Sequence, residues 1–112
     1  MDLNPVDVVE AAFRHYRSQD RDAALPLYAD EFTFTSPQDD HIGKAVFFER
    51  CFPTAARFRE QWLLTVTRAD PELVLVYYEY ELVTGERYRN MEAITVREGL
   101  IRDVRVFFGG RV

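Results

Sequence analysis

The chain has 112 residues and a formal net charge of −5, with 47% apolar and 14% aromatic residues. A chain of this length folds as one domain, residues 1–112, and its apolar content exceeds what one small core consumes, so a lined cavity or a buried subunit interface is expected. The arginines are scattered (Arg14, Arg17, Arg21, Arg50, Arg57, Arg59 and onward) with no basic stripe, which argues against a nucleic-acid partner, and the single Cys51 excludes an internal disulfide framework or a multi-cysteine metal site. No apolar stretch is long enough to span a bilayer, and the opening residues carry Asp2 and Asp7 in place of a signal-peptide core. The expected location is the cytoplasm.

Asn4-Pro5 opens the first helix, since Asn caps well and Pro fits the first helical position. Val6, Val9, Ala12, Phe13 and Tyr16 then recur at three- and four-residue spacing to about Ser18, opposite Arg14 and Arg17. A second, short helix runs from Asp20 or Arg21 through Leu25 to Tyr28, with Pro26 tolerated in its first turns. Phe32, Phe34 and Ser36 alternate with Thr33 and Thr35, a strand that Pro37 stops. Gln38 to Gly43 reads as a polar loop. Lys44 to Phe58 is the third helix, which Pro53 must end or kink.

From Gln61 the period changes to two. Trp62, Leu64 and Val66 alternate with Leu63, Thr65 and Thr67 up to the turn Ala69-Asp70-Pro71. Leu73 to Val83, Tyr88 to Arg97 and Ile101 to Phe108 follow as strands, joined at Thr84-Gly85-Glu86 and Glu98-Gly99. Three helices before four antiparallel strands predict an α+β roll, cone-shaped, with the helices packed on a curved, mainly antiparallel sheet.

The run Tyr28-Ala29-Asp30-Glu31 into a strand, a further helix, and a meander closing Glu98-Gly99-Leu100-Ile101 into Val104-Arg105-Val106-Phe107 resembles the nuclear transport factor 2-like superfamily. It is most similar to the small SnoaL-like, ketosteroid-isomerase-like members, over nearly the whole chain. The resemblance implies a pocket inside the cone, on a fold that hosts isomerases, cyclases, dehydratases, hydrolases and non-catalytic proteins. Where the isomerases carry an aspartate base before a proline, this chain has Ser36 before Pro37. Where they carry an oxyanion-hole tyrosine in the first helix, it has Ala12. The partner acid in the penultimate strand is matched by Glu92. A serine hydroxyl cannot shuttle a proton as that carboxylate does, so steroid isomerisation is not expected.

Strand parity places the remaining polar groups. If Ile94, Val96, Val104, Val106 and Phe108 point into the cone, so do Tyr88, Asn90 and Glu92, with Trp62, Leu64, Val66, Tyr78 and Tyr80 on the same face. A carboxylate among apolar side chains must be paired or have a raised pKa, which is how a general acid or base is made. The alternative is a rim position for Glu92, paired with an arginine such as Arg59. Gln38-Asp39-Asp40-His41 forms a second cluster, in which Asp40 could orient His41 for base catalysis or either Asp could simply cap the next helix. The resembling family has this loop near its pocket mouth. Cys51 reads as buried and inert, His15 as a surface residue, and Tyr28 as a ligand anchor or a packing residue between helix and sheet.

The candidate catalytic residues are thus Glu92 and His41. The candidate ligand-binding residues are Tyr28, Ser36, Asp40, Trp62, Tyr78, Tyr80, Asn90 and Phe108, with no metal ligand and no nucleotide-cofactor motif. The favoured function is a pocket protein for a small apolar or amphipathic molecule. The alternative is a cofactor-independent acid–base enzyme using Glu92. Tyr77, Met91 and Phe107, of opposite parity, would form an apolar patch with Leu63 and pair two copies of the chain through their sheets, with Arg89 and Arg105 near Glu79 or Glu81.

Overall fold

The computed structural model describes residues 4–112; Met1, Asp2 and Leu3, and with them the reading of Asp2 above, lie outside the described residues. Helix α1 (Pro5–Ser18) starts where Asn4 Oδ1 accepts the Val6 N–H at 2.9 Å. It buries Val8, Val9, Ala12 and Phe13 against the sheet. It stops at Gln19, left-handed at φ 56°, whose side chain donates to the Tyr16 and Phe52 carbonyls at 2.7 and 2.9 Å. Helix α2 (Arg21–Ala24) is capped by Asp20 and tightens into a 3-10 turn, Leu25–Leu27, around Pro26.

Strand β1 (Tyr28–Ser36) begins at Tyr28, four residues before the expected Phe32. Tyr28 pairs with Ile101, and its ring packs edge-on to Phe32 and Phe48 at 4.9 and 5.2 Å. Those tertiary contacts pull it out of the helix.

The expected loop from Gln38 to Gly43 is instead an edge strand, β2 (Asp39–Gly43), paired antiparallel with β1. Its composition hides it, because charged residues suit an exposed edge better than a strand interior. Helix α3 (Lys44–Arg50) gives way to a 3-10 turn, Phe52–Arg57, because Pro53 has no N–H to continue the helix. Strands β3 (Phe58–Arg68), β4 (Leu73–Leu82), β5 (Arg87–Arg97) and β6 (Leu100–Arg111) complete the chain.

The sheet has the order β2-β1-β6-β5-β4-β3, antiparallel throughout except for the parallel pair β1 and β6. The result is an α+β cone of three helices on a mixed, curved, unclosed sheet. Phe32, Phe48, Ile101, Val9, Val74 and Val76 form the driest part of the core. Among the described residues, no helix is long and apolar enough to cross a membrane.

Bulges reset the strand faces. On β3, Leu63 pairs with Tyr78 but Thr65 with Tyr77, so Leu64 is the extra residue and parity inverts across it. Trp62 therefore lies on the outer face, 37% exposed, and Leu64 is exposed too, contrary to the inward placement expected of both. Leu63 packs against the core, not in the outer patch expected of it, and Val66 packs there as well.

A second bulge lies near the end of β6, where Asn90 pairs with Phe108 but Tyr88 with Arg111. A Cβ on Gly109 would stand 2.5 Å from the Arg89 carbonyl oxygen, a backbone atom that cannot swing away. Gly109→Ala should therefore lower stability by about 1–3 kcal/mol, as overpacking does. Gly43→Ala, with open space around its Cβ, should stay within about 0.5 kcal/mol. Urea unfolding of both variants checks the contrast.

Candidate functional site

The inner face of the sheet and the helices above it enclose a cavity of about 400 Å³. Phe13 and Tyr16 of α1 line it, with Tyr28, Phe34 and Ser36 of β1 and Cys51, Thr54, Arg57 and Phe58 of the segment after α3. The sheet contributes Gln61, Tyr78, Tyr80, Tyr88, Asn90, Glu92, Ile94, Val104, Val106 and Phe108. Period-two alternation puts these side chains on one face, and the length of β4, β5 and β6 carries that face from core to mouth.

One connected polar set crosses the sheet beneath the cavity. The Tyr78 hydroxyl donates to Glu92 Oε2 at 2.7 Å, and Asn90 Nδ2 donates to the Tyr78 oxygen at 3.3 Å. Glu92 meets no cation. Burial pushes its carboxyl up from 4.5 to about 7, and the Tyr78 hydrogen bond only partly opposes that. Arg59, the partner considered for a rim position, instead holds Glu81 at 3.1 Å and the Val83 carbonyl.

The neighbouring hydroxyls stay neutral. Burial raises Tyr16 to about 12, and raises Tyr28 and Tyr78 as well, with Glu92 adding to each. Thr54 Oγ1 spends its proton on the Cys51 carbonyl at 2.6 Å, so Tyr16 must donate its own to Thr54 at 2.6 Å. Rings fill the wall beside this set. Tyr80 is stacked between Phe58 at 4.7 Å and Tyr88 at 5.7 Å, and Phe13 meets Tyr78 edge-on at 5.5 Å.

Of the sequence candidates, Glu92, Tyr28, Ser36, Tyr78, Tyr80, Asn90 and Phe108 come together around the cavity. Trp62, Asp40 and His41 do not. The extra residue on β2 sets His41 left-handed at φ 50°, which turns the Asp40 and His41 side chains to solvent, 92% and 68% exposed. They bond each other at 2.6 Å, and Asp39 takes the place at the mouth instead. Asp39 Oδ1 lies 2.9 Å from Arg50, out of line for a hydrogen bond, and its other oxygen lies 3.9 Å from the Cys51 sulfur. Burial, with Asp39 adding, lifts the Cys51 thiol to about 11, so it is no nucleophile at neutral pH. Cys51 is only half-buried and lines the cavity. Sequence reasoning also passed over Tyr16, though its place on the apolar stripe of α1 was the available signal. Among the described residues, no three His, Cys, Asp or Glu side chains gather as a metal site.

Residues 9–104 match the family model described as a SnoaL-like domain. No curated protein matches the chain. Among solved structures the chain is similar to a protein from Kribbella flavida, 24% identical with a TM-score of 0.82 over 92% of this chain and 84% of that one. It is also similar to an NTF2-like protein of unknown function from Cytophaga hutchinsonii (16% identical, TM-score 0.75, 96% and 92% covered). A third similar structure is a computationally designed 17-OHP binder (16% identical, TM-score 0.76, 97% and 93% covered). At these identities the likeness is one of fold.

The Glu92 environment fixes the sign of a stability change with pH. Its folded pKa is raised, so between the unfolded value of 4.5 and about 7 the folded state holds a proton that the unfolded chain has lost. That contribution is fully present below this window and is lost as pH rises through it. Glu92→Gln cannot titrate. Relative to wild type, the variant should gain stability on the order of 3 kcal/mol between pH 4.5 and 8. Denaturant unfolding of both proteins across that range tests this, and a constant difference would mean that Glu92 is not buried as described.

Proposed function

The chain belongs to the SnoaL-like domain family, and from that premise we propose that it is a pocket protein holding a small apolar or amphipathic molecule inside its cone. The observation that carries this reading is a cavity of about 400 Å³ with a largely aromatic wall, on which Tyr78 and Asn90 join Glu92 in one hydrogen-bonded set. That combination of apolar wall and placed polar groups is the general character of small-molecule sites. The designed 17-OHP binder, similar in fold, supports the use of such a scaffold for ligand binding.

A second reading, cofactor-independent acid–base catalysis, is favoured by one observation. A carboxyl with a midpoint near 7 can both give and take a proton at neutral pH. In that reading Glu92 is the acid or base and Tyr78 assists, with His41 excluded by its outward position. A cytoplasmic location belongs to the proposal, and the single free Cys51 is compatible with a reducing compartment.

The proposal includes a homodimer formed through the outer face of the sheet. Trp62, Met91 and Phe107 are exposed there at 37%, 42% and 58%, beside Tyr77. Arg87 lies over the Trp62 ring at 4.7 Å while also holding Glu79 at 2.8 Å, and Arg89 holds Glu79 at 3.3 Å. Arg105 pairs with Asp103 at 3.1 Å, not with Glu79 or Glu81. A pre-ordered, charge-neutralised surround with aromatic centres suits an interface core.

Two measurements test these readings. Nile red, a neutral apolar dye, should bind wild type with a blue-shifted emission. Ala12→Phe, which fills the cavity from α1, should weaken that binding by about ten-fold or more while far-UV circular dichroism is kept. Equal binding to both proteins, or to neither, would remove the pocket reading. Sedimentation at micromolar concentration should show a dimer for wild type and a monomer for Phe107→Asp, and a monomeric wild type would remove the interface.

A further inference from the structure

Immediately around Glu92 the groups left over are acceptors. Tyr78 spends its one proton on Glu92 Oε2, and Tyr16 spends its own on Thr54. Once Glu92 is ionised, what they leave facing the cavity is lone pairs: those of the two phenol oxygens and of Glu92 Oε1, which has no protein donor among the described residues. The Tyr28 hydroxyl, which feels the Glu92 charge, can turn either way, and the hydroxyls of Ser36, Tyr80 and Tyr88 with the donors of Gln61 and Arg57 stand elsewhere on the wall.

The charges point the same way. Asp39, Glu92 and Arg57 are the charged groups on the cavity wall, and Arg50 beyond the wall answers Asp39. Among the described residues no cation pairs with Glu92. The rings of Phe13, Tyr28 and Tyr78 line the same cavity, and an aromatic wall attracts a cation once water is excluded. A net charge of −5 on the whole chain adds a field of the same sign.

We propose that the ligand of this cavity is an amphipathic organic amine, its ammonium group seated on the Glu92 carboxylate beside Tyr78 and its apolar body against the aromatic wall. The proposal rests on the pocket reading above and deepens it. An ammonium brings up to three donors and the missing positive charge, whereas a carbonyl ligand brings one more acceptor to a place already rich in them. Binding must then ionise Glu92 and expel its proton.

The groups facing Glu92 are Tyr16 from α1, Tyr28 from β1 and Tyr78 from β4, with Asn90 on its own strand and the apolar Val106 opposite it on β6. Asp39, Cys51 and Arg57 line the cavity further off. The three tyrosines and the thiol stay protonated through neutral pH, and Glu92 has its midpoint there. An aliphatic ammonium titrates only near ~10, so the ligand keeps its charge across the range.

Calorimetry with three matched probes tests this: 2-(2-naphthyl)ethylamine, 2-(2-naphthyl)ethanol and 2-acetylnaphthalene, each titrated from pH 5.5 to 8.5. The amine should bind about ten-fold or more tightly than the alcohol at pH 8, and that advantage should shrink as pH falls below 7. Titrations in two buffers of different ionisation enthalpy should show proton release with the amine alone. Glu92→Gln should cost the amine about ten-fold or more and remove its pH dependence, while the alcohol and ketone change little. Tyr78→Phe, which keeps the carboxyl, should preserve amine selectivity. A ketone that outbinds the amine, increasingly so at low pH, would overturn the amine proposal and leave the pocket intact. Equal affinity for all three would do the same. No binding by any probe would overturn the pocket reading and the amine with it.

Discussion

The parallel seam between β1 and β6 is what turns a helix-covered meander into a container. Strands β3 to β6 could pair among themselves without it, but Tyr28, Phe34 and Ser36 would then have no wall to join. Register Tyr28 to Ile101 and Phe34 to Val104 brings the aromatic edge of β1 beside the apolar stripe of β6. On the outer side Thr33 donates to Asp103 at 2.7 Å, and Arg102 pairs with Glu31. A parallel pair cannot be joined by a tight turn. Here the connection consumes β2, α3 and the whole meander, so the seam forms between segments about seventy residues apart, at a loop-closure cost that grows only slowly with length. The aromatic cluster of Tyr28, Phe32, Phe47 and Phe48 offsets that cost where β1 meets α3.

Closing the cone isolates Glu92. Its neighbours across the cavity are hydroxyls and rings, and the cations of the sheet are engaged elsewhere: Arg87 and Arg89 with Glu79, Arg59 with Glu81, Arg105 with Asp103. Those pairs lie mostly on the outer face or at the rim, where water or a partner copy can solvate them. The inner acid has only Tyr78. The outer face thus pairs its charges, while Glu92, set inward by strand parity, has no cation beside it among the described residues.

Parity also explains what could be read from the sequence. Between Tyr88 and Thr95, β5 pairs with β4 without interruption, so alternation correctly sets Asn90, Glu92 and Ile94 on one face. The same alternation fails on β3, where the extra residue at Leu64 inverts the face across it, and an extra residue on β2 likewise resets the faces of a segment read as a loop. Strict alternation sets Trp62 and Leu64 inward because it cannot see the bulge at Leu64, whereas Asp40 and His41 are expected at the pocket mouth from the resemblance and not from any count. Nothing in Asp39-Asp40-His41-Ile42-Gly43 announces a strand, since that strand exists only through its pairing with β1. Tyr16 was visible on the stripe of α1. Whether a stripe residue meets packed neighbours or open space depends on how far the sheet curves away, and no local pattern encodes that.

The resemblance to the isomerases gains meaning from what is kept and what is not. Proton transfer between two carbons needs a base that can reach both, and the place of that base holds Ser36, whose hydroxyl accepts from the Gln38 N–H at 3.1 Å. By the resemblance Glu92 matches the acid of the penultimate strand; the tyrosine bonded to it is Tyr78 of β4, which gives its proton to the acid. A hydroxyl and an acid that both pointed into the cavity would stabilise a negative charge on a ligand. Here the hydroxyl points at the acid, so once Glu92 is ionised the pair presents electron density instead. Under the amine proposal that pair seats the ammonium, and Ser36 supplies no carboxylate from which a proton shuttle would begin.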